Sequence, residues 1–163
     1  MGRQPLSIRW PWLLASLCAH AALAQIAPTE CSKGWEREPR TQSFDYALDI
    51  QPIWGQFCAN CHVDHGGSPA VGLDLDPAFS YLNLVNAPDY SLTIMRVVPG
   101  DPEGSLLFRK LVCAQPGPAE GDPPMPLGRP SLATALQARV HDWIEAGAPL
   151  LLLRVHADGF ETR

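Results

Sequence analysis

The run Cys58-Ala59-Asn60-Cys61-His62 sets two thiols three positions apart, with an imidazole directly behind the second. This C-x-x-C-H spacing is that of a c-type haem attachment site. The thiols add across the haem vinyl groups as thioethers, and His62 ligates the iron. Covalent attachment keeps haem on a domain too small to hold it by burial alone, so such a chain wraps around its prosthetic group. One axial ligand is thereby fixed, and the opposite one is left to tune the chemistry.

The first 24 residues read as an export signal. Arg3 and Arg9 form a basic region, Trp12 to Leu17 opens an apolar one, and Ala22-Leu23-Ala24 supplies an A-x-A cleavage signature before Gln25. Pro11 and His20 interrupt the apolar stretch, which is shorter than the ~20 residues a spanning helix needs. An uncleaved anchor is the alternative. Leu17 stands before Cys18 where a lipoprotein signal wants a small residue. Haem attachment of this kind requires an oxidising compartment, so leader and motif agree on a periplasmic or otherwise extra-cytoplasmic location.

Cleavage leaves 139 of 163 residues, one domain's worth, and no spanning segment. It removes two arginines and no acid, taking the net charge from −5 to −7. That acidity argues against nucleic acid or anionic membrane as partner and suits a redox protein with a basic docking patch. The chain contains no phosphate-cradling glycine motif and no G-x-S-x-G nucleophile elbow.

Of five cysteines, Cys18 leaves with the leader and Cys58 and Cys61 take haem. Cys31 and Cys113 remain, an even pair where disulfides persist. They form a bridge, or else stay as one mobile thiol near the new N-terminus and one buried at a helix end.

The chain divides into the leader (1–24), an irregular arm (25–43), a helical domain (44–148) and a C-terminal extension (149–163). Ile50, Ile53, Trp54 and Phe57 form one apolar stripe leading into the motif, with Pro52 in the first turn. Asp76 and Pro77 start a short helix to about Val85. Asp101 caps a third, with Pro102 at its first position and Leu106, Leu107, Lys110 and Leu111 along it. Residues 114–130 are loop, six of them proline. Ser131 caps the last helix, whose stripe is Leu132, Leu136, Val140, Trp143 and Ile144, and Gly147 ends it. Leu150 to Leu153 is a strand or an extended tail packed on the core.

The iron needs a second ligand. Met125, in Pro123-Pro124-Met125-Pro126, is braced by prolines that hold φ near its extended value. More than sixty residues separate it from His62, enough chain to wrap round the ring. Met95, in the apolar stretch Leu92-Thr93-Ile94-Met95, reads as packing. His65 starts on the same face as His62, His141 reads as a solvated helix residue beside Asp142, and His156 is in the tail. Arg96 and Arg109 are candidates to neutralise haem propionates.

Two rival readings use the same cysteines. A zinc site from Cys58, Cys61, His62 and His65 crowds four ligands into eight residues, whereas structural zinc draws on two separated pairs. A thioredoxin-like C-x-x-C wants a βαβ setting, and the surroundings here are helical.

Together with these residues, Gly72-Leu73-Asp74-Leu75, Leu82 to Asn86, Arg96 to Pro102, Ser105-Leu106-Leu107, Met125-Pro126 and Trp143 to Ala148 resemble a bacterial cytochrome c-like domain. The type is frequent in planctomycete proteins. The likeness covers about residues 50–148. One departure is Met125-Pro126-Leu127-Gly128, where a second proline commonly follows. The resemblance implies an all-α cytochrome c fold around one haem c, Met/His ligation by Met125 and His62, and attachment through Cys58 and Cys61. The expected function is one-electron transfer between periplasmic redox partners, among them a larger dehydrogenase or oxidase, rather than catalysis. The alternatives are a haem enzyme or sensor subunit with a labile distal ligand that binds peroxide or a gas, and a docking subunit whose haem relays for a bound dehydrogenase.

Overall fold

The computed structural model describes residues 31, 33–64, 68–114 and 123–151. Among these the secondary structure is helical: α1 (Gln51–Phe57), α2 (Ala59–His62), α3 (Ser80–Leu84), α4 (Leu106–Leu111) and α5 (Thr134–Glu145), with isolated bridges and no sheet. The all-α expectation holds. No helix of the described residues is long and apolar enough to cross a membrane. The leader, Cys18, His65, His156 and the tail beyond Leu151 lie outside the described residues.

The periodic stripes define the core. Ile50 from the turn before α1, with Ile53 and Trp54 from α1, clusters with Leu132, Val140, Trp143 and Ile144 from the α5 segment, and Leu84, Val97, Phe108 and Leu111 complete the core. A π-type turn at Tyr46–Ile50 feeds α1, and Asp45 caps it by accepting the Ala47 N–H at 2.9 Å. At the other end of the chain, Gly147 takes φ +93°. Its N–H reaches Ile144 O and the Ala148 N–H reaches Trp143 O, each at 2.9 Å. This is the paired closure a C-terminal glycine permits.

Three helix starts differ from expectation. Asp76 makes a turn, accepting the Ala78 N–H at 2.9 Å, and α3 begins only at Ser80. Asp101 accepts the Gly104 N–H at 2.7 Å, again a turn, and α4 begins at Leu106. The first N–H groups of α4 find Met95 O (3.1 Å) and Arg96 O (2.9 Å), so neighbouring chain meets the need of a helix start. α5 starts at Thr134 without a side-chain cap on its backbone, three residues beyond Ser131.

A buried polar chain locks α1 to the segment from Leu75 to Ser80. Trp54 Nε1 donates to Tyr46 Oη (3.1 Å), Tyr46 Oη to Ser80 Oγ (2.9 Å), and Ser80 Oγ to Gln51 Oε1. Gln51 Nε2 donates to Leu75 O at 2.9 Å. Each group is buried and each finds its partner within the chain, which is what makes polar burial tolerable.

The arm lies over α4 and α5. The Cys31–Cys113 bridge is present, with Cα atoms 6.0 Å apart. Trp35 stands edge-on to Phe108 (centroids 5.0 Å) and tilted over His141 (4.5 Å). Arg40 pairs with Asp142, and Asp142 also accepts the Thr41 N–H at 2.6 Å. His141 is therefore buried, not solvated: the arm covers the helix face that the isolated periodicity leaves to water.

Candidate functional site

α1 and α2 run almost head to tail, with Cys58 at the joint. The Cys58 N–H still bonds Trp54 O at 2.9 Å, and Cys58 O accepts the N–H of Cys61 (3.2 Å) and of His62 (3.0 Å). The stripe that buries Ile53 and Trp54 thus fixes where the motif emerges. Cys58 is half-buried and Cys61 exposed, and both are free thiols. Burial, with Cys61 adding to it, pushes the Cys58 thiol up to about 12. It stays protonated at neutral pH. A thioredoxin-like nucleophile needs a depressed thiol, and the Cys58 shift runs the other way.

His62 is buried against the segment after it. Its carbonyl accepts the Leu75 N–H at 2.6 Å, and Leu75 is the residue whose own carbonyl Gln51 holds. Burial drives the imidazole pKa down, the carbonyls of Leu73 and Ala70 oppose this, and the charges of Arg96 and Lys110 add to the lowering. The net lowering favours the neutral ring, the form that offers a lone pair to a metal. Among the described residues its buried Nδ1 meets no hydrogen-bond partner. Unsatisfied buried groups of this kind call for an explanation such as an ion or cofactor.

Met125 is tied to α4. It is half-buried against the core, and its N–H donates to Lys110 O at 3.0 Å. Lys110 Nζ donates to Pro123 O at 3.4 Å, and the same ammonium is one of the two charges acting on His62. Met95 differs from expectation. It is 45% exposed, because its stretch is an outer loop whose backbone serves α4. Arg96 donates to Asn83 O at 2.9 Å, while Arg109 Nε is buried and unpaired.

A second cluster, His141, Asp142 and Glu145, brings three ligand-type atoms within 4.8 Å of one another. Arg40 already sits among them, contacting His141 Nδ1 (2.7 Å), Asp142 and Glu145 (3.2 Å). The guanidinium supplies the positive charge a metal would bring. Trp35, Arg40, Gln51 and Lys110 carry no sequence signal for these roles, since each acts through a partner distant in the chain.

The donor set at α2 is two free thiols and one neutral imidazole, with a thioether on the segment tied to α4. Two thiols and a lone imidazole in five residues suit a covalently attached metallocofactor better than a closed metal cage, which needs a fourth ligand in tetrahedral disposition. Comparison with family models, with curated proteins and with solved structures returns no match to this chain.

Proposed function

We propose that the chain is an exported mono-haem cytochrome of c type that carries single electrons between redox proteins. In this reading Cys58 and Cys61 are the thioether attachment points, His62 is one axial ligand and Met125 the other. The observation that carries it is the buried His62, whose Nδ1 meets no partner among the described residues, directly behind two unbridged thiols.

Each residue contributes a property the role demands. The protonated Cys58 and the exposed Cys61 offer S–H groups for addition to a vinyl carbon. His62 offers a lone pair, held in place by the Leu75 N–H and, through Leu75, by Gln51. Burial first, and then the charges of Arg96 and Lys110, disfavour its imidazolium. Met125 offers a soft thioether whose backbone is fixed at Lys110. Val71 (57% exposed) lies in the Ala70–Gly72 turn that contacts α2, and Leu127 (62%) follows Met125 by two residues, so each segment carries an exposed apolar side chain that a flat apolar ring system would use. Haem bound there supplies the Fe(III)/Fe(II) couple, and thioether ligation raises its potential. Retaining both ligands in each state keeps reorganisation small, which suits a carrier.

The test is an optical spectrum of the exported protein. A carrier of this design shows a low-spin spectrum with an iron–sulfur charge-transfer band in the red, abolished in Met125→Ala. A five-coordinate spectrum in the wild type would replace the carrier with a ligand-binding haem protein.

A further inference from the structure

We propose that the Cys31–Cys113 bridge holds the Met125 segment in place, and that its opening by a dithiol partner releases Met125 from ligation. This rests on the reading of Met125 as an axial ligand.

α4 has six residues, too few to be stable alone, so its placement comes from what grips it. Phe108 and Leu111 are buried, Gln137 Nε2 donates to Leu111 O at 3.1 Å, and Trp35 covers Phe108. Just past the end of the helix, Cys113 takes φ +57° to turn the chain, with the Ala114 N–H on Arg109 O at 2.9 Å. Twelve positions later the chain returns to the same turn: Met125 N–H meets Lys110 O, and Lys110 Nζ meets Pro123 O. Both ends of the segment bearing Met125 are therefore tied to one helical turn. One tie is the disulfide; the other is a pair of hydrogen bonds.

The bridge also closes the arm. Between Cys31 and Thr41 the arm is fastened at its far end by Arg40 and Thr41 on Asp142, with Trp35 packed on both Phe108 and His141, whose rings also touch each other. Opening the bridge removes the covalent hold on Cys113 and one fastening of the residue that covers Phe108. α4 then keeps its packing, the Gln137 bond to Leu111 O and the bonds of its first N–H groups to Met95 O and Arg96 O, but loses its covalent hold.

Cys31 and Cys113 are both half-buried, which leaves part of each residue open to a partner thiolate. It attacks one sulfur, the S–S bond breaks, and a mixed disulfide forms. The partner's second thiol resolves it. Two electrons and two protons pass to Cys31 and Cys113, and the partner's dithiol becomes a disulfide. With Met125 released, an electron carrier becomes a haem protein that binds diatomic ligands.

The test measures carbon monoxide binding to the ferrous exported holoprotein, bridge intact and bridge opened with dithiothreitol. Alkylation and intact mass establish the bridge state, and keeping both samples ferrous separates bridge from haem reduction. Opening the bridge should speed carbon monoxide association roughly tenfold, within ordinary coupling between sites, and reoxidation should restore the slow rate. Cys31→Ala should bind as the opened form does and lose its ferric iron–sulfur band. If that variant fails to fold, the reversible reduction of the wild type decides alone. Equal rates with the bridge closed and open, with the iron–sulfur band present, would overturn the switch and leave the Met125 reading standing. Absence of the band in the bridged wild type would overturn both.

Discussion

Met125 and Lys110 are joined by a backbone hydrogen bond of 3.0 Å, and the Lys110 ammonium bears on His62. One residue of α4 thus bonds the backbone of one proposed ligand and acts by its charge on the other, although they come from segments more than sixty positions apart. The short helix acts as a bracket between the ligand segments.

The two methionines should behave differently. Met125→Ala should leave haem attached, abolish the iron–sulfur band, lower the reduction potential and admit carbon monoxide. Met125→His should give a low-spin bis-histidine spectrum with a potential below wild type. Met95→Leu, at a side chain 45% exposed, should shift stability by no more than about 0.5 kcal/mol and leave the spectrum alone. Loss of the band in Met95→Leu, with Met125→Ala unchanged, would put the ligand on the outer loop.

Gln51→Ala should cost about 2 kcal/mol in a denaturant titration, since it strands the Ser80 hydroxyl and the Leu75 carbonyl in the core. The His62 segment hangs on Leu75, so the haem spectrum of the variant should also broaden. A change below about 0.5 kcal/mol, the range of an ordinary surface substitution, would show that the buried chain does not bind the segments together.

The Arg40–Asp142 contact should be lopsided. Asp142 is 3% exposed and takes the Thr41 N–H as well, so Asp142→Asn should cost about 2 kcal/mol. Arg40 is 54% exposed and can return to water, so Arg40→Ala should cost no more than about 1 kcal/mol. Burial works to raise the Asp142 pKa, but the Thr41 N–H, the His141 ring and Arg40 outweigh it and hold the carboxyl below its ordinary 3.8. A depressed carboxyl contributes stability that is complete above the unfolded value and lost as pH falls through the folded one. Thermal melts should therefore show an acid loss below pH 3.8 that is smaller in Asp142→Asn.

Removing the bridge should cost about 2–4 kcal/mol, because it frees the unfolded chain from a long closed loop. Alkylation of the folded, exported protein without reductant should label neither Cys31 nor Cys113. Labelling of both would show that the bridge does not form.

Sequence encodes local structure more openly than distant contacts, and the elements of this chain divide accordingly. The stripes through Ile50–Phe57 and Leu132–Ile144 are legible because helical periodicity is a near-neighbour property, and Gly147 because its positive φ suits little else. The leftover cysteine pair is legible by compartment and count. Asp76 and Asp101 mislead as helix starts because Asx turns use the same residues as caps, and Ser131 because α5 begins without a side-chain cap. Gln51, Trp35 and His141 look unremarkable in the chain: their surroundings are made by Ser80 and Leu75, by Phe108, and by the arm. Lys110 acquires its role only when the proline-rich segment returns to α4.

The central claim is covalent haem on Cys58 and Cys61, and acid–acetone extraction of the denatured, exported protein tests it most directly. The wild-type haem should stay with the polypeptide, and changing Cys58 and Cys61 together to Ala should release it. Haem that extracts freely from the wild type would contradict the claim.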